Sequence, residues 1–148
     1  MNNKENILAA CKQLILQRIV TAEKAMKAAQ EGSNSEDKSS AGDKYETARA
    51  MGQLDSNMNA KQLAQAQDQL ADLLKIDTST SKTIRRGSLV ETQSGLYFVA
   101  LGLGNITVNE CPITVISYQS PLALHLLGRC IGETVFFNQI KIEIKQIL

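Results

Sequence analysis

Apolar residues recur at three- and four-residue steps through the first half of the chain and alternate or run continuously beyond Arg86. From about Lys4 to Gln30 the stripe is Ile15, Ile19, Ala22, Met26 and Ala29, extended upstream by Leu8 and Cys11. That spacing predicts one amphipathic helix. The stretch EGSNSEDKSSAG, Glu31 to Gly42, has too few apolar groups to bury itself and reads as a loop. Helical spacing resumes near Asp43 and continues to about Ile76, through Met51, Leu54, Met58, Leu63, Ala66, Leu70 and Leu73. The five-residue step from Met58 to Leu63 is a slip in a heptad register. Both stripes are narrow and partly Ala, so the two helices are expected to fold back on each other as an antiparallel coiled-coil hairpin rather than to enclose a thick core. The second helix would be roughly 45–50 Å long at 1.5 Å per residue.

DTSTSKTIRRGS, Asp77 to Ser88, ends the second helix and reads as a linker, with Lys82, Arg85 and Arg86 as solvated charges. Strand-type runs follow: SLVET, GLYFVALGLG, NITVNE and CPITVISY, punctuated by Gly95, Gly102, Gly104 and Asn105. In SPLALHLLG, Ser120 is placed to cap a helix whose first residue is Pro121, and Gly128 is placed to end it. Leu122, Leu126 and Leu127 would then face the sheet. Two more strands surround a turn at Asn138, the last marked by Ile140, Ile142 and Ile144. The expected fold is α+β, with a helical part at 1–78, a linker at 79–87 and a β-rich domain with one short helix at 88–148.

Composition narrows the function classes. Before Arg86 the chain is rich in Ala, Gln, Lys, Leu and Glu, all good helix formers. A net charge of +1, with no basic run interleaved with aromatics, gives no sign of direct sequence-specific DNA binding or a membrane partner. Three widely spaced cysteines without a CxxC pair argue against a disulfide scaffold or zinc site and fit a reducing compartment. The N-terminus is apolar only at helical spacing and carries charges throughout, unlike a signal peptide or membrane span, so the expected location is the cytoplasm. His125, the single histidine, lies among leucines and is expected to be a half-buried structural residue.

Two short patches carry a family resemblance. SPLALHLLGRCIGETV resembles the signature of the Gre-type transcript cleavage factors of bacterial RNA polymerase, through Ser120, Pro121, Leu122, Ala123, Leu127, Gly128, Arg129, Gly132 and Glu133. GDKYETA resembles the family's tip motif, with Asp43 and Glu46 at its two acidic positions. The family then carries Asn-Ala-Glu-Tyr, where this chain has Thr47, Ala48, Arg49 and Ala50. The resemblance implies an FKBP-like C-terminal domain after a helical hairpin. It also implies a chain that is not itself an enzyme: one that binds RNA polymerase, meets the nascent RNA only indirectly and stimulates transcript cleavage in trans. Asp43 and Glu46 would then act catalytically in the polymerase site, ligating its Mg²⁺ only in the complex, with no cofactor bound to the chain alone. Ser120, Pro121, Leu122 and Arg129 would form the docking region.

The residues themselves leave alternatives open. Asp43 followed by Glu46 is also close to a capping box, which satisfies free N–H groups at a helix start. A non-catalytic regulator of the same polymerase channel and a coiled-coil adaptor with no polymerase partner are the competing functions. Prolyl isomerase activity does not follow from an FKBP-like fold, since fold does not imply function.

Overall fold

The computed structural model describes the backbone of residues 4–35 and 42–148; the side chains of residues 30, 32–35, 42–50, 52, 53, 55 and 56 are outside the described set. Along the chain come α1 (Lys4–Ser35), α2 (Gly42–Leu74), β1 (Leu89–Thr92), β2 (Gly95–Ala100), β3 (Gly104–Val108) and β4 (Cys111–Ser117). They are followed by α3 (Pro121–Leu126), β5 (Thr134–Phe137) and β6 (Ile140–Ile147). The chain is thus α+β, with two long helices followed by a mixed six-stranded sheet. It divides into two compact units, Gln13–Leu70 and the combination of Met1–Lys12 with Ala71–Leu148.

In the helical unit, Ile15, Ala22 and Ala66 are buried. A cleft of about 230 Å³ is lined by Arg18, Thr21 and Ala22 of α1 and by Gln62, Gln65, Ala66 and Gln69 of α2. Ala25, Ala28 and Ala29 line a second cleft with Met58 and Asn59. Higher numbers on α1 therefore meet lower numbers on α2. Two expectations need correction here. Helix α1 continues through Ser35, so EGSNS is helical rather than loop. Solvated Glu, Asn and Ser are tolerated in a helix, and Gly32 costs only about 1 kcal/mol against Ala. Residues 36–41, the rest of the expected loop, lie outside the described residues. The α2 stripe is also buried over only part of its length: Leu63, Ala66 and Leu70 are shielded, but Met51, Leu54 and Met58 are each more than 60% exposed.

The sheet order is β3-β4-β2-β1-β6-β5, antiparallel throughout except for the parallel pair β2 and β4. Two hairpins turn on residues with positive φ, Asn109 and Glu110 between β3 and β4, and Asn138 and Gln139 between β5 and β6. This is the type I′ geometry that matches strand twist, with Asn well suited to the first position. The β1–β2 turn is tied by Thr92, whose hydroxyl donates to the Gly95 carbonyl at 2.9 Å and accepts from the Ser94 N–H at 3.1 Å. One face of the sheet carries Val90, Val99, Ile142, Ile144 and Ile147, packed with Ala123 and Leu126 of α3 and with Ile84. On the other face Leu89, Phe98, Ile113 and Val115 are also buried, in the same unit as buried Ile7, Cys11 and Leu73. With both faces covered, the consecutive apolar residues Phe98, Val99 and Ala100 of β2 are all buried.

The segment read as a solvated linker is built into this unit. Ile84 is buried in the core, its N–H donates to the Arg129 carbonyl, and its own carbonyl accepts from the Gly128 N–H. Arg85 donates to the Asp77 carboxylate at 3.4 Å and to the Ser79 carbonyl at 3.0 Å. Arg86 stacks over the Tyr118 ring at 4.5 Å and donates to the Asp72 carbonyl near the end of α2. Lys4, in the first turn of α1, donates to the Thr78 carbonyl at 3.1 Å. Gly87 is required at its position: its φ is +96°, and a Cβ there would lie 2.0 Å from the Asp77 carbonyl oxygen.

Candidate functional site

The signature SPLALHLLGRCIGETV folds as a short capped helix and a tight return to the sheet. Ser120 has extended backbone and its hydroxyl accepts from the Ala123 N–H at 3.2 Å, while Pro121 occupies the first turn, where its missing N–H costs nothing. The Leu127 N–H closes the helix on the Ala123 carbonyl at 2.8 Å, and Gly128 follows at φ +84°. Ala123 and Leu126 are fully buried, and Leu122 and Leu127 are partly buried against the same core. Burial of a leucine of this kind contributes roughly 1.5–3 kcal/mol, so the inner face of α3 anchors it to the sheet.

What remains for a partner is the outer face. Pro121, Leu124, His125 and Arg129 are exposed. The Arg129 Nε donates to the His125 carbonyl at 3.4 Å, and its guanidinium lies 3.9 Å from the Glu133 carboxylate. Glu133 also accepts from the Cys130 N–H, so this one carboxylate both pins the turn after α3 and orients Arg129. His125 differs from expectation: it is exposed rather than half-buried. Its ring stands edge-on to Phe137, centroids 5.3 Å apart at 66°, and its Nδ1 lies 2.8 Å from the Pro121 carbonyl. Of the proposed docking residues, Ser120 and Leu122 are occupied in building the helix. Pro121 and Arg129 face solvent.

Asp43 and Glu46 lie in the first turns of α2, whose backbone begins at Gly42. Their side chains lie outside the described residues, as do those of Thr47, Ala48, Arg49 and Ala50. Among the described residues no cluster of His, Cys, Asp or Glu is arranged to hold a metal, and no helix is long and apolar enough to cross a membrane. The three cysteines are free. Burial pushes the Cys11 thiol up to about 11, which keeps it protonated and unreactive at neutral pH.

With this geometry in view, solved structures similar to the chain include two of one protein. One is the GreA factor homolog 1 (Gfh1) protein of Thermus thermophilus, 17% identical, with a TM-score of 0.36 over 93% of this chain and 94% of that one. The other is the transcription factor Gfh1, 18% identical, with a TM-score of 0.35 over 93% of each chain. Both neighbours are GreA-like, of the type that the two sequence patches resemble. No family model matches the sequence, and no curated protein matches it.

Sequence reasoning missed Glu133 as the organiser of Arg129, though the i, i+4 spacing of Arg129 and Glu133 was a readable signal. It also missed Ala123 as the fully buried point of α3, since a small residue among leucines carries little weight in a hydrophobic pattern.

Proposed function

We propose that the chain is a Gre-type transcription elongation factor. It binds RNA polymerase, presents its helical part to the secondary channel as an antiparallel coiled-coil hairpin, and stimulates the polymerase's own cleavage of backtracked RNA. On this reading it acts in the cytoplasm, is not itself an enzyme, and docks through an FKBP-like C-terminal domain. The observation that carries the reading is the α3 segment. Most residues that match the family signature cap, anchor or end that helix, and Pro121 and Arg129 are left outward. Support also comes from the length of α2, whose 33 residues span roughly 50 Å, a suitable reach for a channel. Asp43 and Glu46, at one end of that helix, are the residues that would reach the polymerase active site.

The chemistry asked of those residues is limited. Carboxylate oxygens are suitable donors for Mg²⁺, which usually takes only one or two protein carboxylates. Mg²⁺ in such a site stabilises the attacking and leaving oxygens of phosphodiester hydrolysis. Asp43 and Glu46, three residues apart on a helix, share one face and can be offered to one cation. A non-catalytic channel regulator is the second reading, favoured by Arg49, a cation where the family carries an acid. Mapping RNA 3′ ends in stalled polymerase complexes, with and without the protein, separates the two. Shortened RNA with a released 3′ fragment supports the cleavage factor, whereas unchanged RNA with bound protein supports the regulator. Failure to bind polymerase overturns both.

A further inference from the structure

Strand β5 closes one end of the sheet, and its hydrogen-bonding side is open. The turn at Asn138 and Gln139 makes Phe137 and Ile140 the hydrogen-bonded pair that closes the hairpin, and alternation makes Val135 and Ile142 the next. The Ile144 N–H donating to the Glu133 carbonyl at 3.0 Å continues the same phase. The N–H and C=O groups of Thr134 and Phe136 therefore point away from β6. Among the described residues no other element bonds to them. The Phe136 side chain is 67% exposed. One residue thus offers both unpaired backbone groups and a bare aromatic ring.

Protein edges are usually guarded by shortness, charge, proline or a bulge, and of these TVFF has only its four-residue length. The other edge, β3, differs in that its outward backbone groups belong to Asn105 and Thr107, with no aromatic residue beside them. We infer that β5 is a pairing edge through which two copies of this chain join their sheets, antiparallel, across a two-fold axis at Val135. The strand is self-complementary in that register. Thr134 of each copy faces Phe136 of the other, giving about four backbone hydrogen bonds, and the two Phe136 rings sit diagonally within reach. No like charges oppose each other: Glu133 of one copy falls across Phe137 of the other, and Lys141 and Glu143 on the next strand in are already paired at 3.3 Å. The four-residue length of β5 keeps the association weak and reversible.

Sedimentation equilibrium of the full chain, from low micromolar to its highest soluble concentration, tests this. The expected result is a mass rising from 16.2 kDa toward twice that value. Phe136→Lys should weaken the association by about tenfold or more, because it places a cation on the edge. Thr134→Pro should do the same by deleting an outward N–H that β6 does not use. Circular dichroism confirms that each variant is folded. A wild-type chain that stays monomeric throughout, or a dimer that both variants leave intact, overturns the inference.

Discussion

Ser120 is where docking and folding make separable predictions. Its hydroxyl accepts the Ala123 N–H at 3.2 Å, and the Ala123 side chain is fully buried. In Ser120→Ala that N–H loses its partner at a site poorly reached by water. A lost cap costs 0.5–2 kcal/mol, and the burial places this one at about 1–1.5 kcal/mol. For a domain of this size that is a fall in Tm of roughly 5–10 °C. Ser120→Asp keeps an acceptor and adds a charge suited to the helix N-terminus, so it should unfold within about 0.5 kcal/mol of wild type. Arg129→Glu removes an exposed ion pair and sets a like charge near Glu133, together worth at most about 1 kcal/mol, and should lower Tm only slightly. Each variant is followed by thermal unfolding and by polymerase binding. If Ser120 serves the docking face by holding α3, Ser120→Asp binds like wild type, Ser120→Ala weakens in step with its stability, and Arg129→Glu weakens binding alone. A Ser120→Asp variant that folds normally yet fails to bind would refute this reasoning and put the hydroxyl itself at the interface.

Three further substitutions test the structural account. Gly87→Ala should destabilise by roughly 3 kcal/mol in urea unfolding, combining a positive φ with a Cβ forced against the Asp77 carbonyl; wild-type stability would show that the segment is not packed this way. Gln139→Gly should raise stability by about 0.5–1 kcal/mol, since relief of a left-handed residue at φ 65° exceeds glycine's entropic cost; a loss would contradict the type I′ turn. Hydrogen bonds from Ser79, with Arg85 nearby, hold the Asp77 carboxyl below its ordinary 3.8. A depressed folded value means that its contribution is present above the unfolded pKa and lost as pH falls through the folded one. Asp77→Asn should therefore flatten the stability profile only on the acid side of about pH 4, and an unchanged acid limb would remove Asp77 from the balance.

Where side-chain pattern and backbone demand coincide, the sequence was legible. The strands β1 to β6 lie where alternating or continuous apolar runs predicted them, and α3 starts and stops at Ser120 and Gly128 as cap chemistry requires. Patterns were less informative where polarity is compatible with more than one backbone. EGSNS continues α1 because nothing in it forbids a helix, although composition suggested a loop. Periodicity placed Met51, Leu54 and Met58 on one stripe but carries no information on whether the facing helix has anything to cover them. Asp77 to Ser88 looked solvated because its charges were visible and their partners were not. Arg85 meets Asp77 and Ser79, and Arg86 meets Tyr118 and the Asp72 carbonyl, pairings that only the folded chain brings together.

On the proposed function, Asp43 acts in trans on the polymerase. Asn is nearly isosteric with Asp, and in the first turn of α2 it forfeits only the helix-dipole benefit of a negative charge, about 0.3–1 kcal/mol, so Asp43→Asn largely preserves the helix while removing the charge that a Mg²⁺ ligand requires. The decisive measurement is the rate of RNA 3′-fragment release from a stalled polymerase complex, compared between wild type and Asp43→Asn at matched occupancy. Tm should fall only slightly and polymerase affinity should hold, most stimulated cleavage should be lost, and raised Mg²⁺ should partly restore it. Full cleavage by Asp43→Asn, in a complex that the wild-type protein stimulates, would contradict that role for Asp43.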